Sequence, residues 1–143
     1  MPPDSKEAYT MENLGIYLNF NGNCADVLQF YAKVFETKTG MLMRYGDAPD
    51  SDQFADFKDK IIYSDMIVGG QNLMLSDVPP GGEFVAGNNF CITFTSNDQD
   101  KLHRIFNELK EGGTIIMPMG KTFFSELFGM VTDKFGITWN LTV

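Results

Sequence analysis

Histidine is nearly missing from this chain. Among 143 residues there is one, His103, beside two cysteines, Cys24 and Cys91. Zinc sites built from His and Cys clusters, and proton relays that run through imidazole, have almost no raw material here. Positive charge is scarce as well: 11 Lys and Arg stand against 19 Asp and Glu, a formal charge of −8 at pH 7. That balance argues against nucleic acid and against an anionic membrane, both of which are held by clustered Lys and Arg. The apolar runs are too short to span a bilayer. The opening Met1-Pro2-Pro3-Asp4-Ser5-Lys6-Glu7 lacks a secretory apolar stretch. The expected setting is the cytoplasm, with both cysteines as free thiols, buried rather than reactive. What remains is ordinary globular material, 43% hydrophobic and 21% charged, enough to build a core in one domain.

Periodicity supplies the elements. Ile16, Leu18 and Phe20 alternate with Tyr17 and Asn19, the period of a half-buried strand. Asn21-Gly22-Asn23 breaks it, with Asn23 as N-cap of a helix carrying Val27, Leu28, Tyr31, Val34 and Phe35 on one stripe. Strands are predicted over 38–46 and 61–68, separated by an acidic loop, and Gly69-Gly70 turns a hairpin into 72–75. Pro79-Pro80-Gly81-Gly82 is the strongest break. Beyond it the order repeats. Phe90, Ile92 and Phe94 alternate with Cys91, Thr93 and Thr95; Asn97 caps a helix bearing Leu102, Ile105, Phe106 and Leu109; Ile137, Trp139 and Leu141 end the chain on one face. A shift of 74 residues brings Phe20 onto Phe94 and Leu28 onto Leu102, and a shift of 66 brings Gly70 onto Gly136. The expected organisation is a flexible lead-in over 1–12, one βαβββ module over 13–78, a linker over 79–86 and a second module over 87–143.

Several segments carry a family resemblance. They are Tyr17-Leu18-Asn19-Phe20-Asn21-Gly22-Asn23, Arg44-Tyr45-Gly46-Asp47-Ala48-Pro49, Leu73-Met74-Leu75-Ser76-Asp77, and the run Phe128-Gly129-Met130-Val131-Thr132-Asp133-Lys134-Phe135-Gly136-Ile137-Thr138-Trp139. From about residue 14 onward the chain resembles the vicinal oxygen chelate (glyoxalase/bleomycin-resistance) superfamily, in its PhnB-like branch, whose members are often labelled demethylubiquinone methyltransferase-like. The resemblance implies an α+β fold of two tandem βαβββ modules whose curved mixed sheets surround a cup, with helices on the outer face, assembled as a homodimer. It also implies His or Glu metal ligands on the first and last strands of each module. Those positions fall approximately on Gly15, Met74, Asn89 and Asn140, none of them an ionisable ligand. No metal and no cofactor is therefore expected, and no Gly-rich strand-to-helix loop for a nucleoside cofactor is present.

The candidate residues follow from the polar strand faces. Tyr17, Asn19, Arg44, Tyr63, Asn89 and Asn140 are the expected ligand-binding set for a small organic molecule in the cup. Two carboxylates are candidates for acid–base work in a metal-independent enzyme acting on a small carbonyl or aromatic substrate. Glu126 interrupts the aromatic stretch Phe123-Phe124-Ser125-Glu126-Leu127-Phe128, and Asp65 shares a face with Tyr63 and has Arg44 as a possible partner. Against these stand plainer readings: Glu126 at an exposed edge, His103 on the solvent side of its helix, and Thr and Asn merely wetting a sheet face. Met117 and Met119 are candidates for shaping an adaptable apolar pocket.

Overall fold

The alternation over 16–20 resolves as a period of two requires: Leu18 and Phe20 are buried, Tyr17 and Asn19 exposed. A computed structural model describes residues 11–143, apart from the side chain of Phe54; residues 1–10 of the expected lead-in lie outside the described residues. The elements are β1 (Ile16–Phe20), α1 (Cys24–Val34), β2 (Thr39–Arg44), β3 (Ile61–Val68), β4 (Gln71–Asp77), β5 (Ile92–Thr95), α2 (Gln99–Leu109), β6 (Thr114–Gly120), β7 (Phe128–Thr132) and β8 (Thr138–Thr142). They form two four-stranded sheets, ordered β1-β4-β3-β2 and β5-β8-β7-β6. In each sheet the first strand runs parallel to the last and the remaining pairs are antiparallel. This is the α+β arrangement of two mixed sheets that the family resemblance implied.

The helix of the first half does more than cover its own sheet. Its apolar stripe buries Val27, Leu28, Tyr31 and Val34, and its C-terminal end reaches the second half. Tyr31 packs edge-on to Trp139 of β8 at 5.4 Å between ring centroids. Phe35 lies 4.9 Å from Trp139 and 5.6 Å from Phe94 of β5. Residues of both halves thus share one apolar core, which is what lets so short a chain exclude water from both sheets.

Two buried carboxylates fix this packing. Asp133, in the β7–β8 turn, accepts hydrogen bonds from the Tyr31 hydroxyl, the Trp139 indole Nε1 (3.0 Å) and the backbone N–H groups of Phe135 (2.9 Å) and Ile137 (3.1 Å). Asp77, at the end of β4, accepts from the backbone N–H of Cys24 and of Ile61, both at 2.9 Å. Both side chains are almost wholly buried, where an ion without donors would be costly.

Three local expectations change. Asn23 occupies the N-cap position of α1, but its side chain makes no capping bond; the Asp77 carboxylate serves that end instead. The cap of α2 is Asp98 rather than Asn97, its Oδ1 accepting from Lys101 N at 3.1 Å. The reason is that Ser96 N–H still bonds Thr142 O at 3.0 Å, so the chain leaves the sheet later. Phe90 is not a core residue of β5: pairing with β8 begins at Ile92 opposite Trp139, and Phe90 is 53% exposed.

Removing the acceptor from four inward-facing donors should be severe. Asp133→Ala is expected to lower the unfolding free energy by roughly 3–5 kcal/mol, and Tyr31→Phe by about 1.5–3 kcal/mol, the range for a bond to a charged group. Urea denaturation of the two variants checks this, and equal small losses would contradict it.

Candidate ligand site

The outward face of the first sheet gathers three of the expected residues. Register places Tyr17 of β1 beside Met74 of β4, and Met74 beside Asp65 of β3. Tyr63 is two residues before Asp65 on the same face, its ring 6.3 Å from that of Tyr17. The Tyr63 hydroxyl donates to Asp65 Oδ2 at 2.9 Å, while the backbone N–H of Met41 donates to Oδ1 at 2.8 Å. A side chain at residue 40 would crowd this carboxylate, since a Cβ there would stand 2.5 Å from Asp65 Oδ1; Gly40 leaves the room. The Tyr63 phenol is pushed above its usual range, chiefly by its hydrogen bond to Asp65. Along β1, Asn19 Oδ1 accepts from the Ser76 hydroxyl at 3.2 Å.

Arg44 does not pair with Asp65. A register shift lies between Met43 and Arg44, and such a bulge re-aims the residue that follows it. Its Nη1 donates to the Asp59 carbonyl at 2.6 Å, and its backbone N–H to Asp47 Oδ2 at 3.0 Å.

A cleft runs along the edge of β1 that β4 leaves free. Its volume is about 290 Å³, and its walls include Tyr17, Asn19, Glu83, Phe84, Phe90 and Ile137. The wall opposite β1 comes from the connection between the halves. That connection begins in a turn closed by Gly82 N–H on the Pro79 carbonyl at 2.9 Å, with Gly81 at φ +78°, a conformation glycine adopts without steric cost. The stretch that follows is exposed throughout. Residues 79–86 are more than the expected linker: Glu83 and Phe84, absent from the candidate residues of the sequence, line this cleft. The signal was present: two apolar residues, Phe84 and Val85, interrupt a Gly- and Pro-rich segment that has no core to join.

The remaining expected residues stand elsewhere. Asn89 precedes β5 as an exposed residue rather than lying on a sheet face. Asn140 is on the second sheet, its Nδ2 donating to Cys91 Sγ at 3.1 Å and Thr93 Oγ1 at 3.3 Å. Glu126 points its carboxylate toward Lys121 Nζ at 3.9 Å, with 69% of its side chain exposed, while the neighbouring Phe124 packs edge-on with both Phe123 and Phe128. His103 is exposed on α2. The cysteines divide: Cys24 is buried and Cys91 exposed. Burial first, and the nearby Asp77 charge second, push the Cys24 thiol up to about 12, which keeps it a neutral core residue. Met117 is exposed, and Met119 packs at the core margin rather than at the cleft.

The residues present do not fit the superfamily's metal. A Cβ on Gly15 would lie 2.8 Å from the Met74 methyl, so the thioether fills the space a first-strand ligand needs. Asn140 spends its Nδ2 on Cys91 and Thr93 and leaves Oδ1 buried without a partner, a single neutral oxygen; among the described residues no group of three or more His, Cys, Asp or Glu could share an ion. A glycine, a thioether and two amides are a poor donor set for hard divalent cations. Nor does a nucleoside cofactor find a helix end, because Asp77 takes the first N–H of α1 and Asp98 caps α2.

Comparison with known proteins agrees with this architecture. The family described as 3-demethylubiquinone-9 3-methyltransferase matches residues 12–142. Protein YjdN of Escherichia coli K12 is 30% identical over 139 residues, covering 91% of this chain and 94% of that protein. The crystal structure of protein PA1353 from Pseudomonas aeruginosa superimposes with a TM-score of 0.80 at 34% identity, over 91% of this chain and 97% of that one. A putative 3-demethylubiquinone-9 3-methyltransferase, PhnB protein, from Bacillus cereus gives 0.73 at 25% identity, over 92% and 98%. Likeness of fold alone extends to a glyoxylase/bleomycin resistance protein/dioxygenase domain from Frankia sp. EAN1pec, with a TM-score of 0.63 at 14% identity over 94% and 98%.

The Tyr63–Asp65 pair makes a spectroscopic prediction. A carboxylate that accepts from a phenol holds the proton on it, so Asp65→Asn should bring the Tyr63 ionisation down toward the ordinary tyrosine range. Phenolate absorbance followed with pH, with Tyr63→Phe as the subtracted reference, reads this directly. An unchanged or higher midpoint would remove the hydrogen bond as its cause.

Proposed function

Because this chain belongs to the PhnB-like family described as 3-demethylubiquinone-9 3-methyltransferase, within the glyoxalase/bleomycin-resistance fold, we propose that it is a cytoplasmic protein that binds a small organic molecule without a metal at the superfamily positions. The observation that carries this reading is the cleft of about 290 Å³ at Tyr17 and Asn19, beside the Tyr63–Asp65 pair. Its volume suits a compact ligand, and its walls combine apolar rings with a few polar groups, as binding clefts do. The ligand's flat body lies against Tyr17, and its polar atoms meet Asn19. Arg44, Asn89 and Asn140, from the expected set, take no direct part in this cleft.

A second reading rests on a separate observation. Asp65 is held at both oxygens, by Tyr63 and by Met41 N–H, so it is positioned to accept or return a proton at a bound carbonyl or aromatic compound. Glu126, the other candidate, lacks such fixing. In this reading the protein is a metal-independent enzyme, and Asp65 with Tyr63 performs the proton transfer.

The proposal includes a homodimer. Met41, Leu42 and Met43 of β2 are exposed, and so are Ile115, Ile116 and Met117 of β6, the same places in the two repeats at the shift of 74. Exposed apolar strands of this kind favour burial against a second copy.

A thermal-shift screen of small aromatic and carbonyl compounds tests the binding reading. Tyr17→Ala should weaken a hit about tenfold or more, in line with loss of an anchoring ring, and binding unmoved by Tyr17→Ala or Asn19→Ala would sink the cleft. If turnover is found, its persistence in Asp65→Asn would remove that carboxylate from the chemistry. Sedimentation analysis should give a dimer, and Met43→Glu with Met117→Glu should shift it toward monomer.

A further inference from the structure

Resting on the binding reading above, we infer that the β1-edge cleft selects an organic cation, an ammonium group attached to an apolar or aromatic body. The chemistry of the walls carries the inference. The rings of Tyr17, Phe84 and Phe90 line the cleft, and each is well exposed, at 45%, 38% and 53%. Exposed ring faces attract a cation through their quadrupole, most strongly where the cation sheds part of its hydration. Glu83 also lines the cleft, and among the described residues no Lys, Arg or His does. Among the described lining residues an ammonium group therefore meets rings and one carboxylate, whereas a carboxylate or phosphate ligand would face the like charge of Glu83.

The surroundings support the same sign. Lys134, next in sequence to the lining residue Phe135, is already engaged over the Phe30 ring at 4.6 Å and the Phe135 ring at 5.3 Å. Lys60 donates to the Gly22 carbonyl at 2.8 Å. The molecule as a whole carries a formal charge of −8, so its long-range field draws cations toward the surface and repels anions. The other polar groups at the cleft, the Asn19 amide and the Tyr17 hydroxyl, add hydrogen bonding without adding charge.

Three probes of one shape separate the possibilities: 2-naphthylmethylammonium, 2-naphthylmethanol and 2-naphthoate, titrated into the full chain and followed by backbone NMR shifts. The ammonium compound should bind about tenfold tighter than the alcohol, with the carboxylate weakest. Glu83→Gln should remove most of that preference while leaving the alcohol's affinity within about twofold, and Glu83→Asp should retain part of it. Backbone shifts in each variant verify that the fold is intact. Equal binding of ammonium and alcohol, lost in Tyr17→Ala, would overturn the cation inference and leave the cleft reading standing. So would a cation preference indifferent to Glu83→Gln. Binding of none of the three, or binding indifferent to Tyr17→Ala, would overturn both.

Discussion

The Asp133 carboxylate, sealed in the core and shared among four donors, is the constraint on which the molecule depends. Two of its partners are backbone N–H groups of its own turn, one is the indole of β8, and one is the hydroxyl of Tyr31 on the helix of the other half. An ion in apolar surroundings tolerates no loose geometry, because each missing donor leaves charge uncompensated. The consequence is that α1 is held against β8 at a set height and angle. The edge-on packing of Tyr31 and the tilted packing of Phe35 against Trp139 follow from that placement. Asp77 does the corresponding work inside the first half by tying the start of α1 to the start of β3. Between them these two acids determine where the helix sits, and the helix determines how the two sheets meet.

That division leaves the outward faces and the free strand edges to interact with other molecules. The inner faces are committed to packing, while the outer face of the first sheet and the cleft that the connection between the halves builds along β1 are open to other molecules. The two places share Tyr17, which lines the cleft and stands beside Tyr63. A ligand in the cleft and the Tyr63–Asp65 pair are therefore neighbours rather than separate features. The positions that the superfamily resemblance gives to metal ligands hold no ionisable side chain: the Met74 methyl lies over Gly15, and Asn140 donates through Nδ2 to its neighbours on the second sheet.

Much of the architecture was legible because it rests on short-range periodicity. Alternation over 16–20 and 137–141, the helical stripes at 27–35 and 102–109, and the tandem order of elements all survive in the structure. What escaped depends on distant partners. Nothing local to Asp133 announces that it will meet Tyr31, and nothing local to Asn23 reveals that Asp77 will take its capping role. The cleft was hidden for a related reason. Phe90 has the spacing of a strand residue, but β8 pairs only from Ile92 onward, so Phe90 is released to the surface. The expected Arg44–Asp65 pairing fails because a register shift precedes Arg44, whose side chain bonds the Asp59 carbonyl instead.

The Tyr31–Asp133 bond joins residues 102 positions apart, and this separation bears on how the protein reaches its native state. Contacts so distant cannot reward the chain until most of it has been gathered, since the loop entropy is lost before the bond forms. Neither half can finish burying its aromatic stripe while it waits. Tyr31 and Phe35 therefore stay uncovered until β8 brings Trp139 to them and the β7–β8 turn brings Asp133.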